Sequence, residues 1–133
     1  MISKKEKIKV AAGVIFNQGK ILITKRPYNV HMGGKWEFPG GKVNQNETEE
    51  QALKRELHEE LSIDVDVINF ILEINHVYEN FEVNLLFYEC VTSSHKVSNI
   101  SVLQHKWISP SELSDYSFPP ANEKLIFLIL ERF

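Results

Sequence analysis

Residues 41–63 read GKVNQNETEEQALKRELHEELSI, and this segment constrains the chain more than any other. The adjacent glycines Gly40 and Gly41 form a turn that leads into a helix. Thr48 is placed to cap its N-terminus, and Gln51 three residues later completes a T-x-x-Q capping box. Leu53, Leu57 and Leu61 recur every four residues and define one buried stripe. Arg55, Glu56, Glu59 and Glu60 stand at fixed offsets around that stripe. At about 100° per residue, with Glu56 as zero, Glu60 lies near +40° and Glu59 near −60°. Leu53, near +60°, and Leu57, near +100°, begin the stripe beside them. The acids therefore border the buried side, where repulsion between like charges grows. Two readings fit this spacing: a solvated acidic face, or a site for a hard divalent cation with oxygen ligands.

The rest of the chain reads as one domain, residues 1–133. Residues 7–16 and 20–25 are strand-like and are joined by a polar turn at Asn17, Gln18 and Gly19. A loop containing Pro27, Gly33 and Gly34 follows, then a short extended piece, Trp36-Glu37-Phe38. Beyond Ser62 the pattern turns to strand through IDVDVINFILEI and again through FEVNLLFYECV. A serine-rich loop spans residues 93–102, LQHKWIS reads as one more strand, SPSEL as a helical turn, and PPANEKLIFLILERF as a closing helix with proline near its first turn. Strands flanked by two helices in mixed order predict an α/β fold with a sheet covered on both faces.

Composition narrows the function classes. A net charge of −3 argues against stable binding to nucleic acid through its phosphates. A small phosphorylated substrate remains compatible, because a metal supplies the cation locally. No apolar run reaches the roughly 20 residues of a membrane span, and VAAGVIF after the basic Lys4, Lys5 and Lys7 is too short for a secretory leader. The expectation is a cytoplasmic, monomeric protein. Cys90 is the only cysteine, which favours a reducing compartment, and its apolar flanks mark it as a buried strand residue.

The segment resembles the Nudix box, whose pattern is G-x5-E-x7-R-E-U-x-E-E-x-G-U with U aliphatic. Gly41 fills the first glycine and Glu47 the first glutamate. Arg55-Glu56-Leu57 is the central triplet, Glu59-Glu60 the acidic pair and Ile63 the last aliphatic. So many fixed positions make the match specific. LITKRP, HMGGKWEFPGGK and SFPPANE look like the MutT branch of that family, which removes the oxidised nucleotide 8-oxo-dGTP.

The resemblance implies an α/β/α sandwich with a mixed sheet between helices, and hydrolysis of a nucleoside diphosphate linkage with Mg2+, or Mn2+, as cofactor. It implies that Glu56, Glu59 and Glu60 bind metal together with the carbonyl of Gly40, and that Arg55 orients the acids. Glu47 would hold the loop–helix junction or an outer metal. In MutT-like enzymes water attacks the β-phosphorus, giving nucleoside monophosphate and pyrophosphate. Arg26 and His31 match the family's nucleotide contacts, and Glu37, Phe38, Pro39 and Gly40 its substrate-lining segment. Read unaided, Arg26 is a strand-end surface charge, His31 a loop histidine and Phe38 a core residue. Asn122 in isolation is a helix-start residue satisfying backbone donors. In the MutT context it reads the purine edge, since an amide both donates and accepts. A related branch acting on pyrimidine or other triphosphates tends to carry aspartate in a similar context; this chain has Pro120-Ala121-Asn122.

Two positions depart from the family. Ser62 replaces the closing glycine, where a left-handed conformation costs serine about 1 kcal/mol. The family's loop glutamate has no match, since residues 90–111 contain no Asp or Glu. Either a helix acid, Glu56 or Glu59, serves as base, or a loop histidine, His95 or His105, substitutes. Three functions compete: a hydrolase of 8-oxo-dGTP or its ribose counterpart, a hydrolase of CTP or another nucleotide, and a silent Nudix module that only binds.

Overall fold

The computed structural model describes residues 6–94 and 96–133; Lys4, Lys5 and His95 lie outside them. The chain runs β1 (Glu6–Asn17), β2 (Lys20–Lys25), β3 (Trp36–Glu37), β4 (Gly40–Lys42), α1 (Glu49–Leu61), β5 (Asp66–Val77), β6 (Phe81–Val91), β7 (Gln104–Ile108) and α2 (Glu123–Arg132). Short 3-10 turns at Pro110–Asp115 and Pro120–Asn122 precede α2. The predicted elements are present, except that the expected turn at Gly40 and Gly41 is instead strand: both residues belong to β4, which pairs antiparallel with β1.

Among the described residues the strands form one mixed sheet in the order β3-β2-β1-β6-β5, with β4 also on β1 and β7 on β2. β1 pairs parallel to β6, from Glu6 opposite Phe81 to Phe16 opposite Val91, and the other pairings are antiparallel. The β1–β2 turn places Gln18 at φ 52° and Gly19 at φ 78°. Positive φ at both loop residues is the geometry that matches strand twist in a two-residue hairpin.

Alternation along β1 supplies both faces of the sheet. Ala11 and Ile15 pack with Leu22 against Leu53, Leu57 and Leu61 of α1. Ala12 and Val14 pack with Ile21, Ile23 and Phe87 against Leu125 and Ile129 of α2. The result is the expected α/β/α sandwich. Cys90 is fully buried on the α1 face, and burial pushes its thiol up to about 12. A thiol held protonated in this way is a packing residue.

Both ends of α1 are set by local chemistry. Thr48 Oγ1 accepts from the Gln51 amide at 3.1 Å, and the Gln51 side chain accepts from the Thr48 amide at 2.8 Å, so the capping box is complete. At the other end Ser62 takes the left-handed conformation, φ 56° and ψ 38°, and its amide bonds to the His58 carbonyl. Serine thus does what the family assigns to glycine. No helix among the described residues is long and apolar enough to cross a membrane.

Candidate active site

β4 lies so close to β1 that a Cβ on Gly40 would collide with the backbone of Ala11 and Ala12. One residue on, a Cβ on Gly41 would strike the carboxyl group of Glu56. The glycine pair therefore lets the strand run under the acidic end of α1. There, loop 27–34, β3 and β4 meet the β1–β6 pair around a cavity of about 550 Å³.

Three carboxylates reach this cavity: Glu37, Glu56 and Glu60. Glu60 is pushed up to about 8, first by burial and then by Glu56 and Glu37, and it shares a hydrogen bond with Glu56. Burial also pushes Glu37 up, against the pull of Arg26. Arg26 Nη1 holds the Glu37 oxygens at 3.1 and 3.2 Å, and its Nε donates to the His31 carbonyl at 2.9 Å. Arg26 is thus a clamp between β3 and the loop rather than a free surface charge. His31 is exposed at the rim and meets Tyr78 and Phe81 edge-on, at 4.7 and 5.2 Å.

Arg55 organises the outer side of the helix. Its guanidinium donates to both oxygens of Glu47 (2.7 and 3.1 Å), to Glu56 (2.9 Å), to Glu59 (3.2 Å) and to the Lys42 carbonyl (3.0 Å). Its hydrogen bond lowers the Glu47 carboxyl well below its usual range, and the acids raise Arg55 in return. Glu59, whose side chain is 57% exposed, faces Arg55 and does not line the cavity. The arc of three acids expected from helix geometry is therefore split, with two inward and one outward.

Among the described residues no three His, Cys, Asp or Glu side chains converge closely enough to hold an ion unaided. The donor set still fits magnesium or manganese. Such ions take one or two carboxylates and fill the remaining positions with water and phosphate oxygens. Glu56, packed against Gly41, and Glu60 supply the pair, and the cluster's mutual repulsion is what a cation offsets.

Asn122, 8% exposed, also lines the cavity. It stands at the N-cap of α2, as a helix-start residue would, but its side chain makes no cap bond to the helix. Its amide donates one long bond to the Pro119 carbonyl at 3.5 Å, and the residue lines the cavity. Phe38 is both core and wall: it stacks on Phe118 at 5.2 Å and lines the cavity. Pro39, expected on the substrate-lining segment, is not on the wall; it is buried, and its carbonyl accepts from Gly13 on β1 at 2.9 Å.

The loop that lacks the family's glutamate comes to the cavity with Ser101 and Val102. Backbone bonds from Ser98 to Leu61 O (2.9 Å) and Ile100 to Glu60 O (3.0 Å) seat it on the C-terminus of α1, and Leu103 to Lys25 O (3.0 Å) ties its end to β2. His105 is bonded to Asn99 at 2.6 Å and is off the wall. His95 is outside the described residues.

The sequence reading missed the apolar wall. Ile8, Val10 and Ala12 alternate along β1, directly opposite Val83, Leu85 and Phe87 of β6. The period-2 pattern was visible in both strands, but the parallel register that joins them spans most of the chain. Tyr78 and Phe81, on either side of the β5–β6 turn, are the other omission; two aromatics flanking a turn were the available signal.

Residues 11–127, which carry this geometry apart from the β1 positions Ile8 and Val10, match the NUDIX domain model. The chain belongs to the Nudix family. Among curated Nudix relatives it is similar to an 8-oxo-dGTP diphosphatase of Proteus vulgaris, 46% identical over 63% of this chain and 76% of that one. It is 34% identical to the 8-oxo-dGTP diphosphatase of Escherichia coli, over 91% of this chain and 95% of that one. A CTP pyrophosphohydrolase of Escherichia coli is also 34% identical, over 90% and 88%. Among solved structures the E. coli ORF135 protein superposes with a TM-score of 0.80 at 31% identity, covering 96% of this chain and 93% of that one.

Proposed function

We infer that this Nudix protein is a metal-dependent nucleoside triphosphate pyrophosphohydrolase whose preferred substrate is 8-oxo-dGTP, or 8-oxo-GTP, released as monophosphate and pyrophosphate. The observation that carries the substrate is Asn122, a buried amide residue on the lining of an aromatic and aliphatic cavity. An amide donates and accepts at once, which suits 8-oxoguanine, whose O6 accepts while its protonated N7 donates. Two of the relatives carry that activity in their names. Equal identity to the CTP pyrophosphohydrolase supports CTP or another triphosphate as the second reading.

In this reading Glu56, Glu60 and the Gly40 carbonyl hold magnesium or manganese. The ion would lower the pKa of a bound water and neutralise phosphate charge. Glu59 and Arg55 hold the outer side, and Glu47 fixes Arg55. Arg26 and His31 position the phosphates and the nucleotide, with Glu37 and Phe38 behind them. Water forms a bond to the β-phosphorus while the bond from the β-phosphorus to the α–β bridging oxygen breaks, that oxygen leaving with the monophosphate; the water's proton passes to Glu56, the candidate acid of α1 that lines the cavity. Removing oxidised guanine before polymerisation would serve nucleotide-pool sanitation and DNA repair. Pyrophosphate release measured with 8-oxo-dGTP, dGTP, CTP and ADP-ribose tests the assignment. Faster turnover of CTP than of 8-oxo-dGTP would favour the second reading, and no release from any triphosphate would sink both.

A further inference from the structure

Thr24 on β2 is fully buried, and its hydroxyl is the one buried side-chain polar atom among the described residues with no hydrogen-bond partner. Valine fills the same pleated position as well as threonine does, and an unpaired buried hydroxyl is destabilising. Buried polar groups almost always have a partner, so the hydroxyl should have one.

The sheet register shows where that partner belongs. Thr24 stands directly opposite Glu37 on β3 and directly opposite His105 on β7. Directly paired residues project to the same face, and Leu22, two residues back, puts that face under α1. The row Glu37–Thr24–His105 therefore lies beneath the acidic end of the helix. Arg26 Nη1 uses one bond to each Glu37 oxygen, which leaves acceptor capacity. Asn99 occupies His105 Nδ1, which leaves Nε2. A water needs two to four polar partners, and this row offers them.

We propose that Thr24 is a positioning residue, whose hydroxyl seats an ordered water that hydrogen-bonds the Glu37 carboxylate and so fixes the Arg26–Glu37 clamp on the cavity wall. Because Arg26 also holds the His31 carbonyl, the water would steady the whole nucleotide-binding arm. The inference rests on the proposed role of Arg26 toward a nucleoside triphosphate.

The test is steady-state kinetics of Thr24→Val and Thr24→Ser with the triphosphate the wild type turns over fastest, beside a high-resolution crystal structure of the wild type. Losing a hydrogen bond to a charged group typically costs about 10- to 100-fold in affinity. Thr24→Val should therefore raise KM about tenfold with kcat nearly unchanged, and Thr24→Ser, which keeps the hydroxyl, should restore KM. An unchanged KM in Thr24→Val, or equal damage in Thr24→Ser, overturns the proposal. Should Thr24→Val fail to fold, Thr24→Ser and the crystal structure decide. A water within hydrogen-bond reach of both Thr24 Oγ1 and Glu37 supports the proposal; a Thr24 hydroxyl bonded to a backbone carbonyl, with no such water, overturns it. A wild type inactive on every triphosphate would instead refute the proposed function, and the crystal structure would still judge the water.

Discussion

Arg55 grips Glu47 with two bonds, Nη2 at 2.7 Å and Nε at 3.1 Å, and so ties the loop after β4 to the middle of α1. The same guanidinium reaches Glu56 and Glu59, so one cation braces three acids. Lysine has a single compact charge and cannot reproduce this fork. Arg55→Lys should therefore lose activity nearly as severely as Arg55→Ala. Kinetics of the two variants side by side checks this, and near wild-type activity in Arg55→Lys would show that charge alone suffices.

The grip also predicts an acid response. Arg55 holds Glu47 below its ordinary value of 4.5. A carboxyl lowered on folding contributes stability above its unfolded pKa and loses it as pH falls through the folded one. Glu47→Gln should then be less stable than wild type at neutral pH, with the difference closing below about pH 4. Melting temperatures across that range read it directly.

Glu60 carries the opposite sign. Its folded pKa, about 8, lies above the ordinary 4.5 because of burial and its acidic neighbours. Its contribution is fully present below the ordinary value and lost as pH rises toward about 8. In EDTA the protein should melt at lower temperature as pH rises from 5 to about 8, and Mg2+ or Mn2+ should restore stability most at the alkaline end. Glu60→Gln should flatten the EDTA profile. A flat profile in the wild type would mean that the acids are better solvated than their burial implies.

Ser62 in a left-handed backbone costs about 1 kcal/mol relative to glycine. Ser62→Gly should raise the melting temperature by about 3–4 °C for a domain of this size. A lower melting temperature would mean that the serine hydroxyl makes a compensating bond.

Glu56 sits at the centre of the site, against Gly41, Arg55 and Glu60. Glu56→Gln should reduce kcat on the order of a thousandfold, about 4 kcal/mol of barrier. Circular dichroism should remain unchanged.

Local chemistry was the legible part of the sequence. The capping box of Thr48 and Gln51, the Leu53–Leu57–Leu61 stripe and the hairpin at Gln18-Gly19 depend on neighbours a few residues apart, and each is found where expected. The inward turn of Glu56 and Glu60 and the outward turn of Glu59 were not legible, because Arg55 chooses between them by where Glu47 and the Lys42 carbonyl stand. The apolar wall required the parallel pairing of β1 with β6, a contact between residues 75 positions apart, as Ile8 is from Val83. Asn122 sat in a recognisable stretch, but only the fold showed that it starts α2 without a side-chain cap and lines the cavity.

The central claim is that Asn122 selects an oxidised purine, and the most direct test is kcat/KM for 8-oxo-dGTP and dGTP, measured side by side in the wild type and in Asn122→Ala. A lost bidentate contact to a base edge is worth about 1–3 kcal/mol. The wild type should prefer 8-oxo-dGTP strongly, and Asn122→Ala should bring the two substrates close together, mainly through slower use of the oxidised one. Equal rates in the wild type, or a preference that survives in Asn122→Ala, would contradict the claim.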